Sequence, residues 1–471
     1  MVAIPVAMPR TDSDRSAALR QLPAVDVILR APGLGDVPHR LLVREARRWL
    51  DDLRASVLAN ELDAAGVAAL TTPEAIGGAL ARRCQAARRP RHQRVYNATG
   101  IVLHTGIGRA PLAERAIEAL VAAAGYAVVE VDPASGERDQ RELGVAGLLA
   151  AVTGAEAALV VNNNAAATTL MLAALCASRE VVVSRGELVE IGGGFRVPDV
   201  MRRAGCQMVE VGATNKTHLR DFTGAVTPAT VAFLKVHPSN FRIEGFAGTP
   251  TVAELRGAAG ELLVLDDLGS GLLWNEPIAG LSDEPRVADS LAMGAHVTCF
   301  SGDKLLGGPQ CGILVGRQDL IARCRSNPLY RALRCDKLTL AALEATLQIY
   351  RDGDPLHEVP TLRMLGAEPA ELRARSQRLL ELLPGRGGEV VASESFAGSG
   401  ANPAKPIPSF AVALRGSNPD LDMLRAARPF AVFARLADGR VLLDARSLLC
   451  EDLADVAAAV LSSAPRLGAR P

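Results

Sequence analysis

The stretch FSGDKLLGGPQCGILVG, residues 300–316, sets one lysine in a glycine-lined bend between two apolar runs. The runs HVTCF before it and CGILVG after it are too short for helices and read as buried strands. Most lysines sit on solvated helix faces. Lys304 instead lies between strands and before a Gly-Gly turn, where an amine is desolvated enough to lose its proton and react as a nucleophile. Working outward from this bend, the runs LLVLDDLGSG (262–271), VAFLKVHPSN (231–240), CQMVEVG (206–212), REVVVSRGE (179–187) and VVNNNAAATTLML (160–172) repeat one pattern. Each is a short apolar segment that passes into a polar or glycine-rich loop, with helical patterns between them. Such repetition predicts an α/β fold whose mostly parallel central sheet is covered on both faces. Functional groups in such sheets gather at the carboxyl ends of the strands, where these polar tails lie.

Two further strand ends complete a constellation. LLVLDDLGSG ends in two aspartates, and a carboxylate there can hold a protonated pyridine nitrogen; Asp266, the first after the apolar run, is assigned that role, with Asp267 facing a neighbouring loop. In VVNNNAAATTLML a strand enters three asparagines and small residues open a helix, so Asn163, Asn164 and Ala165 form a phosphate cradle or, equally for the segment alone, an N-cap. Ser301 can add a hydroxyl to the same phosphate. Cradle, carboxylate and lysine follow in chain order at intervals of about 100 and then about 40 residues, which suits a fold-type-I enzyme of pyridoxal 5'-phosphate, aspartate aminotransferase-like in architecture. By position on the strand after the cradle helix, Arg185 or Glu187 is placed over the cofactor ring.

Length and charge organise the rest. At ~150 residues per domain, 471 residues predict two to four domains. The 52 basic and 52 acidic residues cancel, but residues 1–96 hold fifteen arginines, no lysine and ten acidic residues. A basic head therefore sits on an acidic body, and its arginine forks suit phosphodiesters. The expected division is a basic helical domain over 1–80, a linker over 81–95, a large catalytic domain over 96–354 and a small α/β domain over 355–471. Within the head, HRLLVREARRWLDDLRASVLANEL places Leu41, Leu42, Ala46, Leu50 and Leu53 on one helical stripe. Aromatic residues make up 3% of the chain, too few for many base-stacking platforms. The eight cysteines form no C-x-x-C and no zinc spacing, so no metal site is expected; Cys311, beside the lysine bend, is singled out. Neither a secretory leader nor a membrane span is read, and a reduced, cytoplasmic protein is expected.

At this point the chain resembles the bacterial selenocysteine synthases, the L-seryl-tRNA(Sec) selenium transferases. The matching stretches include LPAVDVIL, YNATGIVLHTGIGRAPL, VVNNNAAATTLML, SRGELVEIGGGFRVPDVM, KVHPSNFRIEGF, LDDLGSGLL, SGDKLLGGPQCGILVG and NPLYRALRCDKLTLAALEATL, spread from about residue 20 to about 450. The resemblance implies that Lys304 carries the cofactor, that Asp303 serves catalysis, and that Arg109, Arg331 and Arg334 hold the selenophosphate anion. Arg331 and Arg334, at i and i+3, would share one helix face as a fork for a phosphoryl group. It further implies β-elimination of the serine hydroxyl to an aminoacrylyl-tRNA, selenium addition, a tRNA-recognising N-terminal domain, and a ring-like homodecamer of dimers with active sites at subunit interfaces. The chain departs from the family at Gly106 (HTGIGR, where the family has asparagine), at Asp139-Gln140 and at Gly194. The competing readings are a pyridoxal phosphate lyase acting on a free small amino acid or amino sugar acid, and a non-catalytic tRNA-binding protein. Arg435 carries no assigned role.

Overall fold

The apolar runs around the lysine bend form one sheet of seven strands, ordered Ala157–Val161, Gly312–Gly316, Val297–Ser301, Leu263–Gly269, Thr230–Val236, Glu180–Ser184 and Gln207–Val211. Only Gly312–Gly316 runs antiparallel to its neighbours, and the other strands are parallel, as the pattern predicted. The computed structural model describes residues 12–192, 194–238, 240–241, 243, 245–278, 280–398, 400–401, 405–463 and 467–468. The first eleven residues of the basic head thus lie outside the described residues.

Alternation along each strand feeds two apolar layers. Leu159, Val161, Val181 and Val183 pack with the helix Asn164–Leu175 on one face. Val160, Ile313 and Val315 meet the helix Leu143–Thr153 on the other, and Val182, Phe233 and Val264 close a third cluster. Each fully buried valine or leucine contributes roughly 1.5–3 kcal/mol. Burial on both faces leaves the strands free to be continuously apolar and pushes polar groups to their ends.

The chain divides into two compact units, Met1–Gln93 and Arg94–Pro471. The first is helical: Asp12–Arg20, Val25–Ile28, His39–Leu58, Ala64–Leu70 and Pro73–Arg88. Leu42, Ala46, Leu50 and Leu53 of the predicted stripe are buried, with Trp49 and Val57 extending it, while Leu41 is only half-buried. The helix that starts at Pro73 runs to Arg88, so residues 81–88 are not linker. Thr72 caps its start by accepting from the Ala75 N–H at 3.2 Å, and buried Ile76, Leu80 and Cys84 carry it onward.

In the second unit a five-stranded sheet joins Arg435–Ala437, Arg440–Asp444, Ile407–Arg415 and Glu389–Gly398 to Ile101–Leu103. Val95–Asn97 likewise pairs with Ala431–Phe433. The segment 96–103, expected at the front of the large domain, therefore supplies strands to the C-terminal layer. Buried Asp444 organises that layer, accepting from the hydroxyls of Ser393 at 2.7 Å, Ser395 at 2.9 Å and Ser409 at 2.8 Å, and from the Arg446 N–H at 3.1 Å. Arg435 pairs with the same carboxylate at 3.2 Å, which gives this arginine a structural role. Among the described residues no helix is long and apolar enough to cross a membrane.

Asp444→Ala would leave one guanidinium and three hydroxyls without their acceptor. Urea unfolding should then show a loss of about 3–5 kcal/mol.

Candidate active site

Lys304 follows the strand Val297–Ser301 and lies in a cavity of about 260 Å³ at the carboxyl ends of the parallel strands. Its side chain is enclosed, with the residue 6% exposed, and a Cβ at Gly400 (φ 90°) would collide with it. Burial first, and the neighbouring Arg109 charge second, push its amine below the usual lysine value; Asp267, Asp303 and Glu284 pull the other way. The proton-accepting form is thereby favoured at a strand end, as the bend's sequence predicted.

Asn163, Asn164, Ala165 and Ser301 line the same cavity. Asn163 is also the N-cap of the cradle helix, its Oδ1 accepting from the Ala166 N–H at 2.9 Å, so the cradle and cap readings describe one loop. That loop packs so closely on Gly312 that any side chain there would strike the Asn163 carbonyl. Ala165, in the first turn of the helix, lines the cavity, and a helix N-terminus favours an anion.

The site carboxylate is Asp267, not Asp266. Neighbouring residues of a strand point to opposite faces, and Asp267 takes the face of the cradle helix. It accepts from Asn164 Nδ2 and from Thr168 Oγ1, each at 2.9 Å, and burial raises its pKa. Asp266 faces away, accepting from Ser290, whose hydroxyl is 2.9 Å from that of Thr298. Burial there pushes the Asp266 pKa up to about 6.

Arg109 enters the cavity from a loop with φ 62°, a left-handed conformation uncommon for a residue with a side chain. Its Nη1 meets Asp303 Oδ2 at 2.7 Å, and its buried Nε has no hydrogen-bond partner among the described residues. The other two arginines lie elsewhere. The helix Pro328–Leu333 ends before Arg334, whose ψ of 142° is not helical, so Arg331 and Arg334 do not share a helix face. Arg334 pairs with Glu130 at 3.3 Å in a separate cavity of about 220 Å³ with Arg138, Arg141 and Arg325, and Arg331 is exposed.

Arg185 does not cover the cavity either. Its guanidinium reaches Glu210 on the neighbouring strand Gln207–Val211 and the Gly212 carbonyl just past that strand's end. Glu187 is buried and engaged by Lys235, by Thr249 at 2.8 Å and by the Val236 N–H at 3.1 Å. The apolar wall is instead Val189, Ile191 and Val197. His237, at the end of VAFLKV, also lines the cavity and escaped the sequence reading, although a histidine at a strand's polar tail was a usable signal. Cys311 is buried against Gly302, and burial raises its thiol pKa.

The sequence profile of the family described as "SelA: L-seryl-tRNA selenium transferase" matches residues 95–449. The chain belongs to this family. It is 44% identical to the L-seryl-tRNA(Sec) selenium transferase of Moorella thermoacetica over 461 residues, covering 94% of this chain and 97% of that one. To its counterpart in Solidesulfovibrio magneticus it is 46% identical over 462 residues, covering 93% and 96%. Among solved structures, D-glucosaminate-6-phosphate ammonia-lyase shares the fold with a TM-score of 0.58 at 21% identity, over 79% of this chain and 96% of that one. Two of the three departures from the expected motifs line cavities. Gly106 lines a space beside His104 and Asn240, and Asp139 and Gln140 line the Arg334 cavity. Gly194 adopts φ 81°, which a serine would hold only with strain.

Asp266 binds its proton more tightly folded than unfolded. Its contribution to stability is therefore complete below the ordinary pKa of 3.8 and lost as pH rises through about 6. Asp266→Asn should flatten this part of the pH–stability curve and raise stability at pH 7.5 by about 2–3 kcal/mol, read from urea midpoints at pH 4.5 and 7.5.

Proposed function

We propose that this chain converts L-seryl-tRNA(Sec) to L-selenocysteinyl-tRNA(Sec), eliminating the serine β-hydroxyl and adding selenium from selenophosphate, with pyridoxal 5'-phosphate as cofactor. The observation that carries the reading is the buried Lys304 beside Asp267 and the Asn163–Ala165 loop, in a chain 44% identical to a selenium transferase over nearly its whole length. The cavity fits the cofactor: Asn164 Oδ1 is buried in it without a partner among the described residues, Asp267 is fixed by two donors, and the cradle helix opens onto it.

Lys304 would carry the cofactor, Asp267 would hold its ring nitrogen, and Asn163, Asn164, Ala165 and Ser301 would hold its phosphate. Bound there, pyridoxal phosphate supplies an aldehyde for the seryl amine and a conjugated ring that takes up the electron pair left at Cα. Released from the aldehyde, the desolvated Lys304 amine takes the Cα proton and returns it after selenium has added. Asp303 orients Arg109, whose unpartnered Nε is available to an anion. The substrate carboxyl is an ester, so no clamp for a free carboxylate is required, in keeping with Arg435 being occupied by Asp444.

We assign selenophosphate to Arg109, Arg331 and Arg334. Because Arg109 and Arg334 line separate cavities of one chain, the complete anion site belongs to the homodecamer that the family resemblance implies. The helical unit recognises the tRNA. Arg40, Arg44 and Arg47 recur at i, i+4 and i+7 on the helix His39–Leu58, and all three are exposed. The compartment is the cytoplasm.

Lys304→Ala should abolish turnover of seryl-tRNA(Sec) and the cofactor absorbance near ~420 nm, and Asp267→Asn should lower cofactor affinity at least ~10-fold. Full activity in the lysine variant would defeat the reading. Arg40→Gln with Arg47→Gln should weaken tRNA binding about 10-fold and reduce the slope of log affinity against log salt by about 2, with cofactor absorbance unchanged.

A further inference from the structure

The elimination moves two protons, and Lys304 accounts for one of them. Hydroxide is a poor leaving group, so the departing oxygen needs an acid while Lys304 holds the Cα proton. The cavity's carboxylates are committed: Asp267 accepts from Asn164 and Thr168, and Asp303 pairs with Arg109. His237 is not committed in this way. Its N–H donates to the Asp267 carbonyl at 2.9 Å, which fixes it beside the site carboxylate, and Pro238 after it restricts its backbone to extended conformations.

Behind the imidazole stands Glu284. Its side chain is 1% exposed, and neither carboxylate oxygen has a hydrogen-bond partner among the described residues. Nε2 of His237 lies 3.4 Å from Oε1, an ion-pair contact that is not yet a hydrogen bond. A carboxylate buried without a partner is costly unless a cation or a proton accompanies it. His237 is the side chain within reach of that carboxylate. The other charged side chains around His237 are Asp267, Asp303, Lys304 and Arg109 in the Lys304 cavity, and Glu187, Lys216 and Asp283 in the adjoining cavity that His237 also lines.

We propose that His237, positioned by Glu284, is the acid that protonates the leaving serine hydroxyl. This rests on the function proposed above. With Nε2–H directed to Glu284, Nδ1–H is the donor. The Cβ–O bond breaks with its electron pair passing to oxygen, oxygen takes the Nδ1 proton and leaves as water, and the neutral imidazole regains a proton from solvent before the next turnover. His237 is the catalytic residue, and Glu284 is a positioning residue that acts through it.

The test compares seryl-tRNA(Sec) with chloroalanyl-tRNA(Sec), whose chloride leaves without a proton. In the holoenzyme, His237→Gln should cut elimination from the seryl substrate at least ~100-fold and from the chloroalanyl substrate less than ~3-fold. Cofactor absorbance near ~420 nm should persist, and the Cα proton of seryl-tRNA should still exchange in heavy water, because Lys304 is intact. In cofactor-free protein, mass spectrometry of C2-hydrogen exchange at His237 should show the rate at a fixed pH changing at least ~2-fold in Glu284→Gln, as the imidazole loses the neighbour that positions it. Equal losses on both substrates, a lost cofactor absorbance in His237→Gln, or an unchanged exchange rate in Glu284→Gln would overturn the proposal. An unsubstituted enzyme inactive on seryl-tRNA(Sec) would instead overturn the proposed function.

Discussion

Keeping a lysine amine dry at the end of a parallel strand is the constraint that the rest of the second unit serves. Desolvation favours the neutral amine, and Arg109 close by adds to that preference. Both effects require enclosure. Gly400 lets the small C-terminal layer approach the lysine, Gly312 lets the asparagine loop close on the antiparallel strand, and Val189, Ile191 and Val197 exclude water from the open side. The Asp444 network adds hydroxyls and an arginine to the apolar cluster of Leu379, Val412, Leu414, Val441, Leu443 and Val456 that holds the layer carrying Gly400. Stability of that layer and reactivity of Lys304 are therefore linked through packing, although Asp444 does not line the cavity.

Sheet, lysine and cradle were legible because burial on both faces writes a sheet of this kind as apolar runs with polar tails. What was not legible had three physical sources. The choice between Asp266 and Asp267 is a question of strand parity, and the apolar run LLVL offers no alternation from which to count. The helix carrying Arg331 looked long enough to include Arg334, but Arg334 turns to extended backbone, and Asp336 then opens the next helix by accepting from the N–H groups of Leu338 and Thr339. The third source is sequence separation: Ile101–Leu103 pairs with Glu389–Gly398, nearly 300 residues away, and no local pattern marks it as part of the C-terminal sheet. Glu284 belongs to the same class, since its loop meets His237 only in the fold.

The two aspartates of LLVLDDLGSG show how one strand end serves chemistry and pays for it. Both are buried and both have raised pKa values, for the same first cause. Asp267 is compensated by Asn164 and Thr168 on the cradle helix and by the nearby charge of Lys304, so its burial is put to use at the cavity. Asp266 has Ser290 and the more distant Lys235 charge, and nothing in the cavity depends on it directly. Its effect is on the far side of the strand, where a hydroxyl pair, Ser290 and Thr298, ties the Val287–Ala292 helix to the strand that leads into Lys304. Asp266 and Thr298 are opposite each other in the register of the two strands, and Ser290 bridges them. The pair therefore faces two ways, with Asp267 at the cavity and Asp266 tied through Ser290 to the strand that leads into Lys304.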